Sequence, residues 1–306
     1  MDKKMKNILL IINPVSGKLR ARDALYDIVE KLCSRGIVPT VRLTQRRGHA
    51  TSLARAAAKS GQYDAVFCCG GDGTLNEVIA GLVGAENKLP IGYIPAGSTN
   101  DFASGLGLPL ELPEAAAAAG DCLKNGEPLH FDIGSFGDDR YFSYIASFGA
   151  FTATSYSAPQ NVKNVLGHMA YVFEGVKDFF QIKPIHAVCT TADGKRFEND
   201  YAFGAVANAY SVGGIVKLAE NMVDIDDGEF EILLVHMPKN TSEFNHIVNA
   251  VISSNLEGND MIDFFRAKDL TFEMPEDTQW SLDGEQAAGG GSVRIVNIHG
   301  EVTLLK

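Results

Sequence analysis

The 306-residue chain has little cysteine, and what it has follows no pairing pattern. Cys33, Cys68, Cys69, Cys122 and Cys189 are odd in number, form no CxxC and fall mostly in apolar runs. That excludes a disulfide framework and a zinc ribbon, and it reads as the reduced, buried thiols of a cytoplasmic protein. Positive charge is also short: 27 Lys and Arg against 38 Asp and Glu leave a net charge of -11, which argues against a general nucleic-acid binder. No apolar run approaches the roughly 20 residues that cross a bilayer, so any membrane contact is expected to be peripheral. The opening MDKKMKNILLIIN puts positive charge before an apolar run, but Ile8–Ile12 is too short for a signal segment and reads as a first strand. His49, His130, His168, His186, His236, His246 and His299 show no metal-ligand spacing. Internal repeats and low-complexity linkers are absent.

What is present is a globular composition, 45% hydrophobic and 21% charged, in a chain long enough for two domains. From Asn7 to about Phe131 short apolar runs alternate with amphipathic stretches, the pattern of repeated β-α units on a parallel sheet. ARDALYDIVEKLCSRG reads as the first helix. Gly36, Gly61, Gly84 and Gly126 each close a helical pattern, where a left-handed cap favours glycine. From Asp132 onward the texture changes to strand-like pieces broken by DG, DD and GG turn signals, which predicts a mainly antiparallel second half. Two helices interrupt it, over Asn161–Phe180 and roughly Glu243–Leu256. The apolar stripe of the first reads as core packing, with an acyl-chain groove as the functional alternative. The expected domains are therefore 1–131 and 132–306, with the last strand able to return to the first domain, and a site in the crevice between them.

The sharpest motif is CCGGDGTLNEV, in which a buried strand ends in Gly70 and Gly71 and a helix begins at Asp72-Gly73-Thr74. Glycines admit a ligand close to the backbone, and the amides of a first helical turn point at it, which suits phosphate. Asp72 beside phosphate calls for a divalent cation; its plainer reading is a helix cap. Neither common nucleotide fingerprint fits, because Asn76 stands where GxGxxG needs glycine, and Gly17-Lys18 lacks the glycine a P-loop requires. Two further loops follow strands on the same expected sheet edge: Asn13-Pro14-Val15-Ser16-Gly17, and Pro95-Ala96-Gly97-Ser98-Thr99-Asn100-Asp101. Ligands of open parallel sheets bind along that edge. Far downstream, Leu282-Asp283-Gly284-Glu285 holds two carboxylates. If the segment is extended, period 2 sets Asp283 and Glu285 on one side, as proton acceptor and metal partner. DG also reads as an ordinary hairpin turn. The cations Lys18, Arg20, Arg22, Arg46 and Arg47 near these loops could face anionic lipid headgroups, or form a solvated helix face.

In this order, Asn13-Pro-Val-Ser-Gly17, Gly70-Gly-Asp-Gly-Thr74 with Leu75-Asn76-Glu77, Pro95-Ala-Gly-Ser-Thr-Asn-Asp101 and Leu282-Asp-Gly-Glu285 resemble the signature of the diacylglycerol kinase catalytic family, in its soluble bacterial YegS-like branch. The resemblance covers nearly the whole chain. It implies an NAD-kinase-like α/β domain followed by an antiparallel β-sandwich domain, and an ATP-dependent, Mg²⁺-dependent lipid kinase working peripherally at the cytoplasmic membrane surface. By the same resemblance Asn13, Pro14, Val15, Ser16, Gly17, Thr44, Gly70, Gly71, Asp72, Gly73, Thr74, Leu75, Asn76 and Ser98 contact the nucleotide. Asp283 is the general base. Asp72, Asp101 and Glu285 support the catalytic Mg²⁺. A structural Mg²⁺ falls on the DG loop at Asp224, Asp227 and Glu229, with Asp227 giving its side chain and the other two their carbonyls. Diacylglycerol, giving phosphatidic acid in phospholipid biosynthesis, is the first acceptor; phosphatidylglycerol, a sphingoid lipid or a polyprenol are others, and a homodimer is compatible with all of this. Ser104, Tyr144 and Glu220 depart from residues common in the family. Two alternatives stand beside it: a soluble-substrate kinase of the NAD-kinase type, and a nucleotide- or lipid-binding regulator without turnover, which the retained Asp283 and Glu285 oppose.

Overall fold

The computed structural model describes residues 5–98, 100–150, 182–209, 211–212, 216–217 and 223–306, with the backbone alone for Lys18, Asp101, 211–212 and 216–217. The expected helix over Asn161–Phe180, together with Thr99, His168 and Glu220, lies outside the described residues. The chain divides into two compact units, Met1–Asp132 with Gly300–Lys306, and Ile133–His299.

In the first unit β1 (Lys6–Ile12), β2 (Ile37–Leu43), β3 (Ala65–Gly70) and β4 (Ile91–Pro95) form a parallel sheet in the order β4-β3-β1-β2. The chain's last strand runs from Gly291 to Leu305, and its end adds to the same sheet, with Leu304 and Leu305 parallel to Ile91 and Gly92. All six residues of β3 are buried, as expected of a strand covered on both faces. Ile8, Leu10, Ile12, Phe67, Cys69 and Ile94 share a core with Ile28 and Leu32 of one helix and Leu112, Ala115, Ala116 and Ala119 of another.

The helices are α1 (Arg20–Asp23), α2 (Leu25–Cys33), α3 (His49–Ser60), α4 (Asp72–Leu82), α5 (Asp101–Gly105) and α6 (Leu112–Asn125). The single helix expected after the first strand is two pieces, broken at Ala24 and preceded by a 3-10 turn over Ser16–Leu19. Helices α3 and α4 approach closely through small residues: a Cβ on Gly81 would sit 2.5 Å from the Thr51 carbonyl oxygen. Gly36, Gly61 and Gly84 have φ of +72°, +62° and +67°, as the caps require. Gly126 does not: it is extended, φ -91° and ψ 174°, and its need is for space, since a Cβ there would lie 2.7 Å from Cys122 Cα.

Strand β5 (Leu129–Phe136) carries the chain into the second unit. There follow β6 (Arg140–Phe142), β7 (Ile145–Gly149), β8 (Ile185–Thr191), β9 (Arg196–Ala207), the short β10 (Ser211–Val212) and β11 (Val216–Lys217), and β12 (Phe230–His236). Helix α7 (Thr241–Ser253) comes next, then β13 (Ile262–Ala267), β14 (Asp269–Met274), β15 (Gln279–Leu282), β16 (Glu285–Ala288) and β17, the Gly291–Leu305 strand already described. Pairing within this unit is antiparallel, in the order β16-β15-β7-β9-β8-β14-β17, with β12 beside β9 and β13 beside β12. This is the mixed architecture the pattern predicts, a parallel α/β half followed by a mainly antiparallel half, the latter being the β-sandwich that the resemblance implies. Trp280 is fully buried at its centre, its ring 5.2, 4.8 and 5.3 Å from those of Phe136, Phe148 and Phe272. Helix α7 starts two residues earlier than expected because the Asn240 side chain caps it, accepting the Glu243 amide at 3.0 Å, while the Glu243 carboxylate takes the Lys239 amide at 2.7 Å.

Candidate active site

Three loops of the first unit meet at the carboxyl ends of β1, β3 and β4, and glycines are what let them meet. A Cβ on Gly17, whose φ is +53°, would fall 1.9 Å from the Ala96 carbonyl oxygen; one on Gly97 would fall 2.8 Å from Gly71 Cα. Two of the loops are also joined by side chains: Asn13 Nδ2 donates to Thr74 Oγ1 at 3.0 Å, and the Gly71 amide donates to Ser16 Oγ at 3.3 Å. Asn13 shapes its own loop by accepting the Val15 amide at 3.2 Å. Asn100, with φ +52°, donates to the Pro95 and Gly97 carbonyls, both at 3.2 Å, and its Oδ1 is buried without a hydrogen-bond partner among the described residues. Asn13, Ser16, Gly17, Gly70, Gly71 and Thr74 are thus brought together.

The remaining nucleotide positions are less uniform. Pro14 is half-buried, Val15 is 75% exposed and Ser98 is exposed. Thr44 follows β2 on the same edge of the sheet, its amide bonded to the Ile12 carbonyl at 2.9 Å. Gly73 and Asn76 lie half-buried in α4, whereas Leu75 turns its side chain into the core at 1% exposure, and the Thr74 and Leu75 amides both donate to the Gly71 carbonyl. Asp101 opens α5; its side chain lies outside the described residues.

Two side-chain contacts of this region gave no separate signal. Asp72, first residue of α4, accepts the Tyr93 hydroxyl at 3.1 Å. Glu77, one helical turn on, reaches across to α3, where its carboxylate accepts the Gly48 amide at 2.8 Å and the Ala50 amide at 3.1 Å. Glu77 is therefore the N-cap of a helix to which it does not belong, filling the place of a capping side chain at Gly48. The buried Tyr93 in IGYIP was the available clue for the first. Nothing local marks the second.

In the second unit Asp283 departs from the extended reading. Asp283 (φ +48°) and Gly284 (φ +85°) are the two central residues of a hairpin turn joining β15 to β16, with Leu282 opposite Glu285. Left-handed φ at both positions is what a two-residue hairpin needs, and Asp-Gly supplies it. Period 2 therefore does not align the carboxylates of Asp283 and Glu285. The Asp283 carboxylate is 5% exposed and accepts three backbone amides: Ser143 at 2.5 Å, Tyr144 at 3.0 Å and Ile145 at 2.9 Å. Tyr144, one of the departures from the family pattern, takes part through its backbone, so its side-chain identity leaves that bond intact.

The DG loop is acid-rich. Asp227 Oδ1 accepts the Glu229 amide at 3.0 Å and its Oδ2 pairs with Arg266, which also lies 3.8 Å from Glu229 and 3.4 Å from the fully buried Glu231. Asp224 accepts the Asp226 amide at 3.2 Å. Asp226 Oδ1 and both Glu231 oxygens are buried with no hydrogen-bond partner among the described residues. Burial, then its own backbone contact in the opposite sense, then the charges of Asp224 and Glu229 act on Glu231, and the net pushes its carboxyl up to about 8.

Burial pushes Cys69 and Cys189 up to about 12 and Cys68 well above its usual range; Cys33, expected to be buried, is exposed. Among the described residues no helix is long and apolar enough to cross a membrane.

Comparison with known proteins adds sequence reach to this geometry. The family model for the diacylglycerol kinase catalytic domain matches residues 7–136, and that for the YegS C-terminal NAD kinase beta sandwich-like domain matches residues 146–300. The chain is 33% identical over 281 residues to a diacylglycerol kinase of Bacillus subtilis (strain 168), covering 92% of this chain and 90% of that one. It is 31% identical over 280 residues to one of Staphylococcus saprophyticus, covering 92% and 89%. In fold, a diacylglycerol kinase crystal structure from Bacillus anthracis str. Sterne superposes with TM-score 0.72 at 22% identity, over 99% and 97% of the two chains. An NAD kinase from Archaeoglobus fulgidus in complex with ATP superposes with TM-score 0.50 at 12% identity, over 98% and 93%. Matched through both its units rather than through one glycine loop, the chain belongs to the diacylglycerol kinase catalytic family and is a lipid kinase.

Proposed function

We propose that the chain transfers the γ-phosphoryl group of Mg·ATP to the hydroxyl of a membrane lipid, diacylglycerol first, giving phosphatidic acid. The observation that carries this is the junction of the three glycine loops, which leaves a backbone-lined, acid-flanked anion site at the carboxyl edge of a parallel sheet. The relatives named as diacylglycerol kinases support the acceptor, and the NAD-kinase fold with ATP supports the donor. In this reading the first unit is the nucleotide-binding domain and the second carries the base and the lipid side.

Phosphoryl transfer asks the protein mainly to position groups and neutralise charge. Asn13 to Gly17, Thr44, Gly70 to Asn76 and Ser98 bind the nucleotide, the backbone amides serving the phosphates. Bound Mg²⁺ supplies charge neutralisation at the phosphate oxygens, and Asp72, Asp101 and Glu285 are the carboxylates that would hold it. The donor set fits, being oxygen-only and anionic. Asp283 accepts the proton of the lipid hydroxyl. In a loose phosphoryl-transfer transition state that proton moves late, as the acceptor oxygen becomes bonded to phosphorus. At the DG loop Asp224, Asp227 and Glu229 hold a second Mg²⁺ in this proposal. Asp226 Oδ1 and the Glu231 oxygens are buried without hydrogen bonds among the described residues, with His299 3.8 Å from the first and Arg266 3.4 Å from the second, and Arg266 is also the competing cation on Asp227.

Membrane contact in this reading is peripheral and electrostatic. Arg20, Arg22, Arg46 and Arg47 are exposed, as are Val15, Leu19 and Leu110, and the Arg20 guanidinium reaches the Leu110 carbonyl at 3.3 Å. Cations beside exposed apolar side chains suit an anionic lipid surface. The test is labelled ATP with diacylglycerol vesicles: Asp72→Asn should lower turnover on the order of 100-fold with an unchanged melting temperature. Turnover within a few-fold of wild type would remove Asp72 from the site.

A further inference from the structure

Tyr93 is 2% exposed on β4, and its hydroxyl is the donor at 3.1 Å to Asp72 Oδ1. A buried tyrosine hydroxyl needs a partner, and here that partner is charged, which makes the bond stronger and more directional than one between neutral groups. The same ring meets Phe102 edge-on at 6.1 Å, and Phe102 in turn lies 5.4 Å from Phe131. Phe102 is the second residue of α5, directly after Asp101. Tyr93 therefore underlies the first turns of both helices that open on an acidic residue, α4 at Asp72 and α5 at Asp101. Its strand neighbour on β3 is the buried Cys68.

We propose that Tyr93 is a positioning residue: its hydroxyl fixes the orientation of the Asp72 carboxylate toward the divalent cation of the nucleotide, while its ring packs against Phe102 at the start of α5. This rests on the reading of Asp72 given under Proposed function. A short aliphatic residue would fill a buried strand position as well as tyrosine does, but it could neither donate to Asp72 nor reach Phe102 in the same way. Phenylalanine separates the two roles, because it keeps the ring and removes only the donor.

The experiment compares wild type, Tyr93→Phe, Asp72→Asn and the double variant. It reads Mn²⁺ affinity by electron paramagnetic resonance in the presence of a non-hydrolysable ATP analogue, then turnover against Mg²⁺ concentration, then the melting temperature. Tyr93→Phe should weaken Mn²⁺ binding about 5- to 10-fold, the loss of one hydrogen bond to a charged group. It should shift the Mg²⁺ dependence of turnover by a like factor, recover at high Mg²⁺, and melt as wild type does. In the Asp72→Asn background it should add nothing further. If Asp72→Asn abolishes Mn²⁺ binding while Tyr93→Phe binds Mn²⁺ as wild type does, the positioning role is overturned and the Asp72 reading stands. If Asp72→Asn itself leaves Mn²⁺ binding unchanged, both are overturned.

Discussion

Asp283 meets two demands at one position: a backbone with φ +48°, and a carboxylate that satisfies three amides. Alanine there would orphan those buried donors, each worth about 1–3 kcal/mol when unsatisfied, and would strain the turn. Asp283→Ala is therefore expected to destabilise the protein measurably in urea, which makes it a poor probe of chemistry. Asp283→Asn tolerates the left-handed backbone and keeps one oxygen as acceptor. We expect it to lower turnover by about 100-fold or more, the range of a general base, with a smaller stability loss seen in the same denaturation assay. Both residues of the Asp-Gly pair were visible in the sequence, and so was the hairpin alternative. The three amides were not, because Ser143, Tyr144 and Ile145 stand 138 to 140 residues away and no local pattern joins them to Asp283.

Among elements, helix α3 begins without a capping side chain of its own, and Glu77 of α4 supplies one. Because the capped segment ends the loop that carries Thr44, Arg46 and Arg47, this bond ties the end of that loop to the helix that opens on Asp72. Glu77→Ala should cost about 1 kcal/mol, the usual worth of a cap, and weaken nucleotide binding several-fold, both readable by a thermal melt with and without ATP. At the DG loop, Mg²⁺ should raise the melting temperature of the wild type, a stabilisation of about 1–3 kcal/mol at saturating metal, and should leave that of Asp227→Asn nearly unchanged. Equal shifts in both would move the metal elsewhere. The strands and helices of the first unit were legible because their apolar runs and closing glycines repeat at the expected lengths. The break at Ala24 and the extended Gly126 were not, since the first is set by how the 3-10 turn and α1 enter the helix and the second by crowding against Cys122.

For the whole molecule, the chain leaves its first unit once and returns to it at the very end, where Leu304 at 0% and Leu305 at 4% exposure complete the parallel sheet beside β4. Leu304→Ala should therefore destabilise the first unit by about 2–5 kcal/mol, as a core truncation does, although it lies over 200 residues from β4. An acidic chain at -11 that exposes Arg20, Arg22, Arg46 and Arg47 should, in the proposed reading, bind anionic vesicles weakly and release them as salt rises. Family membership was legible from four short motifs because they occur in one order over nearly the whole chain, whereas the lipid acceptor leaves no such imprint. The most direct test is labelled ATP and Mg²⁺ offered to the wild-type protein with diacylglycerol, phosphatidylglycerol, a sphingoid base, a polyprenol and NAD. The account predicts label in phosphatidic acid, lost in Asp72→Asn and Asp283→Asn; label in phosphorylated NAD with none in any lipid would contradict it.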